Sequence, residues 1–117
     1  MSRPRVVIFE DEPLIALDIQ EAVEDANCTV CGVFRDSSSA EAICAEIKPD
    51  LAIVDLNLMD GATGADLAKF FHDRGCEIIV FSGETGIDPK LCRFSHTFIS
   101  KPLSPHLLAE ALRPSSL

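Results

Sequence analysis

Basic charge is scarce in this sequence of 117 residues. Lys and Arg together number 10 against 19 Asp and Glu, which gives a formal net charge of -9 at pH 7. A field of that sign repels polyanions, so we expect the chain to bind neither nucleic acid nor an anionic membrane surface. A protein is the expected kind of partner.

Long apolar runs and linkers are also missing, and we expect no leader. No apolar stretch approaches the length of about 18 residues that a membrane-spanning helix needs, and residues 1–5 lead directly into a strand pattern. The length suits a single core and leaves no room for a second module. We therefore expect one cytoplasmic domain over residues 1–117, with its core at about 5–112 and no output domain.

The cysteines do not suit a disulfide framework, because their number, five, is odd and all lie in or beside apolar runs. Reduced thiols that act as small apolar side chains fit that placement. Cys28 and Cys31 have the spacing of a CxxC motif, but residues three apart in a strand point to opposite faces of a sheet. The pattern does not favour a redox or zinc site.

What the sequence does contain is a regular alternation of strand and helix patterns. Strands are predicted at Val6–Phe9, Cys28–Phe34, Leu51–Val54, Ile78–Phe81 and Thr97–Ser100. Helices are predicted from Pro13 to about Asn27, from a capping box at Ser38 and Glu41 to Lys48, around Leu67 to Gly75 after a loop at Asp60–Gly64, in a short piece after Asp88, and from Pro105 to Arg113. Such alternation indicates an α/β fold with a parallel sheet, right-handed crossovers and helices on both faces.

Polar groups follow four of these strands directly. They are Glu10 and Asp11 after the first strand, Asp55 after the third, Ser82 after the fourth, and Lys101 with Pro102 after the fifth. Each alone has a plain explanation as a helix cap, a turn former or a surface charge. Together they would meet at the carboxyl edge of a parallel sheet, where sites form. Three carboxylates at such short distances repel one another unless a cation lies between them, so the pattern predicts a metal.

The residue types suit phosphoryl chemistry at an aspartate. Mg²⁺ prefers a partial shell of carboxylate oxygens together with phosphate oxygens. A carboxylate oxygen of Asp55 can attack phosphorus in line while Mg²⁺ and Lys101 neutralise charge on the equatorial oxygens. The Ser82 hydroxyl can donate to a third phosphoryl oxygen, and a contact made only in the modified state shifts a conformational equilibrium.

At these residues the chain resembles the receiver domains of bacterial two-component response regulators, of the stand-alone single-domain type. The resemblance covers about Arg5 to Leu112. Its motifs are Glu10-Asp11, Asp55 within Leu51–Gly61, Ser82-Gly83 and Lys101-Pro102. It implies a flavodoxin-like (βα)5 doubly wound fold with five parallel strands in order 2-1-3-4-5, an order taken over from the family.

The resemblance also implies roles for the site residues. Asp55 would accept a phosphoryl group from a phosphohistidine on a sensor histidine kinase or a histidine phosphotransfer protein. Mg²⁺, for which Mn²⁺ can substitute, would be held by Asp11, Asp55 and the backbone carbonyl of Asn57, with Glu10 acting mainly through metal-bound water. Ser82 and Lys101 would hold the phosphoryl group. The domain would catalyse only its own phosphorylation and dephosphorylation.

Further residues follow from the same resemblance. Phe98 matches an aromatic residue that changes rotamer as the hydroxyl moves, with plain core packing as the alternative. Asn57 and Glu84 would flank the hydrolytic water, and this pair of residue types resembles fast-turnover chemotaxis-type receivers with a short-lived phosphoryl group. The Lys101-Pro102 bond would be cis, a minority state for X-Pro bonds, and would aim the ammonium into the site.

The segment before Lys101 departs from the family. Lys101 follows Ser82 by only 19 positions, which predicts a shortened fourth helix, and the last helix is also short. In the family, the fourth helix, the fifth strand and the fifth helix form the face that dimerises or engages outputs. We therefore do not expect standard dimerisation through that face, and expect a monomer or weak dimer. The resemblance is then to stand-alone receivers that work as phosphate shuttles or sinks, or that dock on a kinase or another regulator.

Two alternatives to a phosphorylated receiver remain. One is a receiver-like binding module that works without phosphorylation. The other is a flavin- or nucleotide-binding protein of the same fold. That second alternative needs a Gly- or Ser/Thr-rich phosphate loop after the first strand, where Glu10-Asp11-Glu12 would instead repel the anion.

Overall fold

A computed structural model describes residues 3–56, 64–83, 91, 93–101 and 105–112 of the chain. Its strands are β1 (Arg5–Phe9), β2 (Thr29–Phe34), β3 (Leu51–Asp55), β4 (Glu77–Ser82) and β5 (Thr97–Ser100). Its helices within those residues are α1 (Pro13–Asp25), α2 (Ala40–Ile47), α3 (Gly64–His72) and α4 (Pro105–Ala111). No helix in these ranges is long and apolar enough to cross a membrane.

The five strands form one parallel sheet in the order β2-β1-β3-β4-β5. This confirms the predicted α/β fold and strand order. The order reverses between β1 and β3, so the chain crosses one face of the sheet after β1 and the other after β2. A crevice outside the carboxyl ends of the strands is the expected result.

Apolar side chains fill both faces of the sheet. Val6 and Ile8 pack with residues of α1 and α4, whereas Val7 and Phe9 pack with residues of α2 and α3. All four side chains are fully buried. A strand covered on both faces needs a continuous apolar run instead of an alternating one, which is why β1 is apolar at every position after its exposed first residue, Arg5.

The cysteines behave as predicted where they are described. Cys28 lies in the layer of α1 and α4, and Cys31 packs against the layer of α2 and α3, so the two thiols point to opposite faces. The four described cysteines are unpaired. Burial raises the pKa of the Cys76 thiol to about 11, with smaller contributions from Cys44 and Asp50. That thiol is therefore neutral at pH 7 and chemically inert.

Two helix starts differ from the prediction. The capping box at Ser38 is wrong: α2 begins at Ala40 after Ser39, and the Ser38 hydroxyl donates instead to Asp36 Oδ1 at 2.6 Å. The Asp36 carboxylate, two residues upstream, accepts this hydrogen bond. Such a local contact competes with capping of the N–H groups at the start of the helix. The second difference is α3, which begins at Gly64, inside the predicted loop.

The predicted helix ends agree with the structure better than the predicted helix starts do. Gly75 follows α3 with φ of 89°, as its predicted role at the helix end requires. The short helix predicted after Asp88 falls mainly on residues outside the described ranges, as do Arg113 and the residues beyond it.

A left-handed residue at the end of α2 yields a prediction about stability. Lys48 has φ of 54° and ψ of 62°, and its N–H donates to the Cys44 carbonyl. Lys48→Gly should raise the free energy of unfolding by about 0.5–1 kcal/mol, because relief of the left-handed conformation outweighs the freedom that glycine adds to the unfolded chain. Urea unfolding measures the change.

Glu46→Gly is the matched control, since Glu46 is exposed within the same helix. It should lower the free energy of unfolding by about 1 kcal/mol. Equal destabilisation by both substitutions would contradict the conformational explanation.

Candidate functional site

The sheet brings the predicted polar residues to one edge. Glu10 follows β1, Asp55 ends β3, Ser82 ends β4 and Lys101 follows β5. The register between β4 and β5 sets Ser82 level with Ser100, immediately before Lys101. Glu10, Asp55 and Ser82 are the buried polar residues within the described ranges, so the edge forms a polar pocket over an otherwise apolar core.

Lys101 joins the two buried carboxylates. Its Nζ lies 2.9 Å from Asp55 Oδ2 and 3.2 Å from Glu10 Oε1. The backbone holds this geometry, because the Lys101 N–H donates to the Ser82 carbonyl at 2.8 Å. Burial lowers the pKa of Lys101, but the hydrogen bond and charge of Asp55, together with Glu10, outweigh it and raise the pKa overall. The side chain is therefore a permanent ammonium at pH 7.

Glu10 is in the least favourable environment for a charge. Burial, together with the proximity of Asp55, raises the pKa of Glu10 to about 7, although the hydrogen bond from the Glu12 amide and the charge of Lys101 lower it. Glu10 Oε2 accepts the Glu12 N–H at 3.2 Å. Glu10 Oε1 is buried without a hydrogen bond of adequate geometry in the described part of the chain, so its contact with Lys101 is an ion pair only.

The donor set fits a hard divalent cation. One oxygen from each of Glu10, Asp11 and Asp55 can lie within 4.8 Å of the other two. All three donors are carboxylate oxygens, the ligands that Mg²⁺ takes in proteins. A single ammonium cannot neutralise three carboxylates, and the buried Glu10 Oε1 lacks a donor. A cation would relieve both deficits, directly or through a bound water.

Of the remaining predicted site residues, the structure describes only some. Ser82 is fully buried at the end of β4. Phe98 is 39% exposed on β5, so the alternative of plain core packing is wrong for it. Asn57, Glu84 and Pro102 lie outside the described residues.

Gly64 is a residue that the sequence analysis missed. The sequence pattern assigns it to a loop, but it starts α3 and packs against the backbone of Asp55 and Leu56. The only signal in the sequence is a glycine just before the first apolar residue of a helix pattern. A contact between backbone atoms leaves no other trace in the residue types.

Comparison with known proteins identifies the family. The model of the response regulator receiver domain matches residues 6–113. Over 62 residues, the chain is 44% identical to the phyllosphere-induced regulator PhyR of Methylorubrum extorquens. This match covers 52% of the chain but only 23% of PhyR, so the chain spans a minor part of that relative's length.

Solved structures share the fold. SdrG of Sphingomonas melonis is 27% identical with a TM-score of 0.78, covering 96% of this chain and 95% of that one. The signal receiver domain of a modulated diguanylate cyclase from Desulfovibrio desulfuricans has a TM-score of 0.83 at 24% identity, covering 94% of this chain and 90% of that one. At that identity the second likeness bears on the fold alone.

The ion pairs at the edge predict that stability depends on Lys101. Lys101→Met leaves the carboxylates of Glu10 and Asp55 buried without their cation. Without divalent cations, the free energy of unfolding should fall by about 1–3 kcal/mol, less than for a fully buried pair because the lysine side chain is 21% exposed. Mg²⁺ should then restore more stability to the variant than it adds to the wild type.

Lys69→Met provides the control, because Lys69 forms an exposed ion pair with Asp73 on α3. Such pairs contribute about 0–1 kcal/mol. The charge-cluster explanation fails if Lys101→Met unfolds at the same urea concentration as the wild type in EDTA.

The raised pKa of Glu10 predicts a pH dependence for the metal-free protein. The folded chain holds this proton up to a pKa of about 7, whereas the unfolded chain releases it near 4.5. The folded state thus binds more protons in that window, so the Glu10 contribution to stability is present at the acid end and is lost as pH rises towards 7. Urea unfolding in EDTA across the window measures it.

Glu10→Gln cannot titrate and should lack this part of the decline. The difference between wild type and variant isolates Glu10 from the other carboxylates of the chain. Identical pH profiles for the two proteins would show that Glu10 is ionised normally.

Proposed function

The chain belongs to the response regulator receiver domain family, and from that premise we propose that it accepts a phosphoryl group on Asp55. Receiver domains are signalling domains and not a family of catalytic enzymes. The observation that carries the proposal is the buried Asp55 carboxylate, paired with Lys101 at 2.9 Å and grouped with the carboxylates of Glu10 and Asp11.

The proposed donor is a phosphohistidine of a sensor histidine kinase or of a histidine phosphotransfer protein. An Asp55 oxygen attacks phosphorus and forms the O–P bond, while the P–N bond breaks and its electron pair stays on the imidazole nitrogen, which takes up a proton. The transition state spreads negative charge over the equatorial oxygens. The Lys101 ammonium, already aligned on Asp55, offsets part of that charge without moving.

Mg²⁺ is the proposed cofactor, with Mn²⁺ as a substitute. Glu10, Asp11 and Asp55 would hold it, with the Asn57 carbonyl as a further ligand. When bound, the ion supplies positive charge that lets an anionic carboxylate and an anionic phosphoryl group approach each other. Between turnovers, the ion pair with Lys101 keeps the Asp55 side chain oriented in its buried position.

The proposed signal is a rearrangement at Ser82 and Phe98. The Ser82 hydroxyl would donate to a phosphoryl oxygen, a contact that the unmodified state cannot make, and Phe98 would change rotamer in response. The half-exposed position of Phe98 on β5 supports this role over a packing role. Asn57 and Glu84 are proposed to tune hydrolysis of the aspartyl phosphate towards a short lifetime.

The proposed output is contact with other proteins. A stand-alone receiver would pass phosphate to a phosphotransfer protein, or dock on a kinase or another regulator, as a monomer or weak dimer. A cytoplasmic location, which is general for response regulators, belongs to the same proposal. The acidic surface, with net charge -9, supports a protein partner over a nucleic acid.

Phosphorylation by a small donor tests this function directly. Incubation with acetyl phosphate and Mg²⁺ should add one phosphoryl group, detected by intact mass at short times and low temperature. Asp55→Asn should abolish the adduct, because an amide is a far weaker nucleophile than a carboxylate and cannot form the same acyl phosphate. Removal of Mg²⁺ with EDTA should abolish it as well.

Asp25→Asn is the control, since Asp25 is exposed at the end of α1 distant from the carboxyl edge of the sheet. It should accept phosphate like the wild type. An adduct that survives in Asp55→Asn would refute the assignment of the acceptor, and a wild type that never forms an adduct would favour the phosphorylation-independent binding module.

A further inference from the structure

The first residue of α3 lies directly on the peptide that joins Asp55 to Leu56. Gly64 is buried, and its N–H donates to the Leu56 carbonyl at 3.2 Å. A Cβ built on Gly64 would lie closer than 3.0 Å to three backbone atoms: Asp55 O, Leu56 Cα and Leu56 C. Any side chain at this position would therefore require the backbone to move.

Space, and not conformation, requires glycine here. Gly64 lies in a helix and has no left-handed φ. Gly75, beyond the other end of α3, shows the opposite case: its φ is 89°, but a Cβ there would meet nothing within 4 Å. Gly64 is therefore required by the close approach of backbone atoms, and Gly75 by its positive φ.

The peptide after Asp55 is held from two sides. On the sheet side, the Leu56 N–H donates to the Phe81 carbonyl of β4 at 3.0 Å. On the other side lies the backbone of Gly64. Since β4 also holds Lys101 through the Ser82 carbonyl, the carboxylate and the ammonium that pair at 2.9 Å are both fixed by β4. The backbone of Gly64 therefore limits movement of this peptide away from the sheet.

We propose that Gly64 is a positioning residue for phosphoryl transfer to Asp55, acting through the backbone contact between the start of α3 and the Asp55–Leu56 peptide. This inference rests on the proposed function. Relief of the clash needs a displacement on the order of 1 Å, and a misplacement of that size can cost about 100-fold in rate when an attack requires aligned atoms. Neither neighbour is a flexible side chain that could yield instead.

Gly64→Ala and Gly75→Ala form the matched pair that tests it. Both substitutions destabilise the chain, the first by crowding and the second by strain at positive φ, but only the first lies on the acceptor. With acetyl phosphate and Mg²⁺, the maximal rate of adduct formation should fall about tenfold or more in Gly64→Ala and stay within about twofold of wild type in Gly75→Ala. Rates are compared at a temperature where circular dichroism shows both variants folded.

Equal rates in the two variants would overturn the proposal, because both are folded under these conditions and a purely structural role for Gly64 would leave Gly64→Ala as fast as Gly75→Ala. If the wild type forms no adduct, the proposed function itself fails, and with it this inference. A wild type that is phosphorylated normally while Gly64→Ala matches Gly75→Ala refutes the role of Gly64 alone.

A measurement on the wild type covers the case in which Gly64→Ala does not fold. Amide resonances are followed as Mg²⁺ is added and then beryllofluoride, an anion that occupies the place of a phosphoryl group on a carboxylate. The Gly64 and Leu56 amides should shift more than the Gly75 amide, because they lie on either side of the acceptor peptide. Gly64 and Leu56 resonances that stay in place at saturation would show that α3 does not sense the acceptor.

Discussion

Repulsion among three carboxylates at one edge of the sheet is the constraint on which the site depends. Glu10 and Asp55 are buried side by side, Asp11 lies within reach of both, and Lys101 is the ammonium that touches the two buried groups. Burial makes every unit of uncompensated charge costly, which is why Glu10 holds a proton more tightly than a solvated glutamate does. The arrangement therefore favours any process that brings positive charge to the edge.

The fold holds these groups together at one edge of the sheet. After their first residues, β1, β3 and β4 are buried on both faces and apolar, so the next polar residue falls at or just after the strand end. Parallel pairing then collects the ends at one edge, and the hydrogen bonds from Lys101 to Ser82 and from Leu56 to Phe81 tie three strands into a single rigid frame. Electrostatic preorganisation of this kind stabilises developing charge without a cost of reorganisation.

Most of this arrangement follows from residue patterns, and the exceptions have physical causes. The apolar run of β1 and the polar residues after four strands predicted the sheet and the group at its edge, whereas the strand order came from family resemblance. The predicted cap at Ser38 is absent because the Ser38 hydroxyl donates to the nearby Asp36 carboxylate instead. The sequence analysis missed Gly64 because its contact is with backbone of another element, and the exposure of Phe98 on the edge strand β5 is not encoded by local periodicity.

The proposed function depends on a divalent cation at the carboxyl edge of the sheet. Mn²⁺ provides the most direct test, because a paramagnetic ion broadens nearby amide resonances first, and substoichiometric additions to the native protein locate the site. We expect early loss of the amide resonances of Glu10, Asp11 and Leu56, reversed by excess Mg²⁺. Broadening that begins instead at the exposed acidic residues of α1, such as Glu21, Glu24 and Asp25, and spares the edge of the sheet would contradict it.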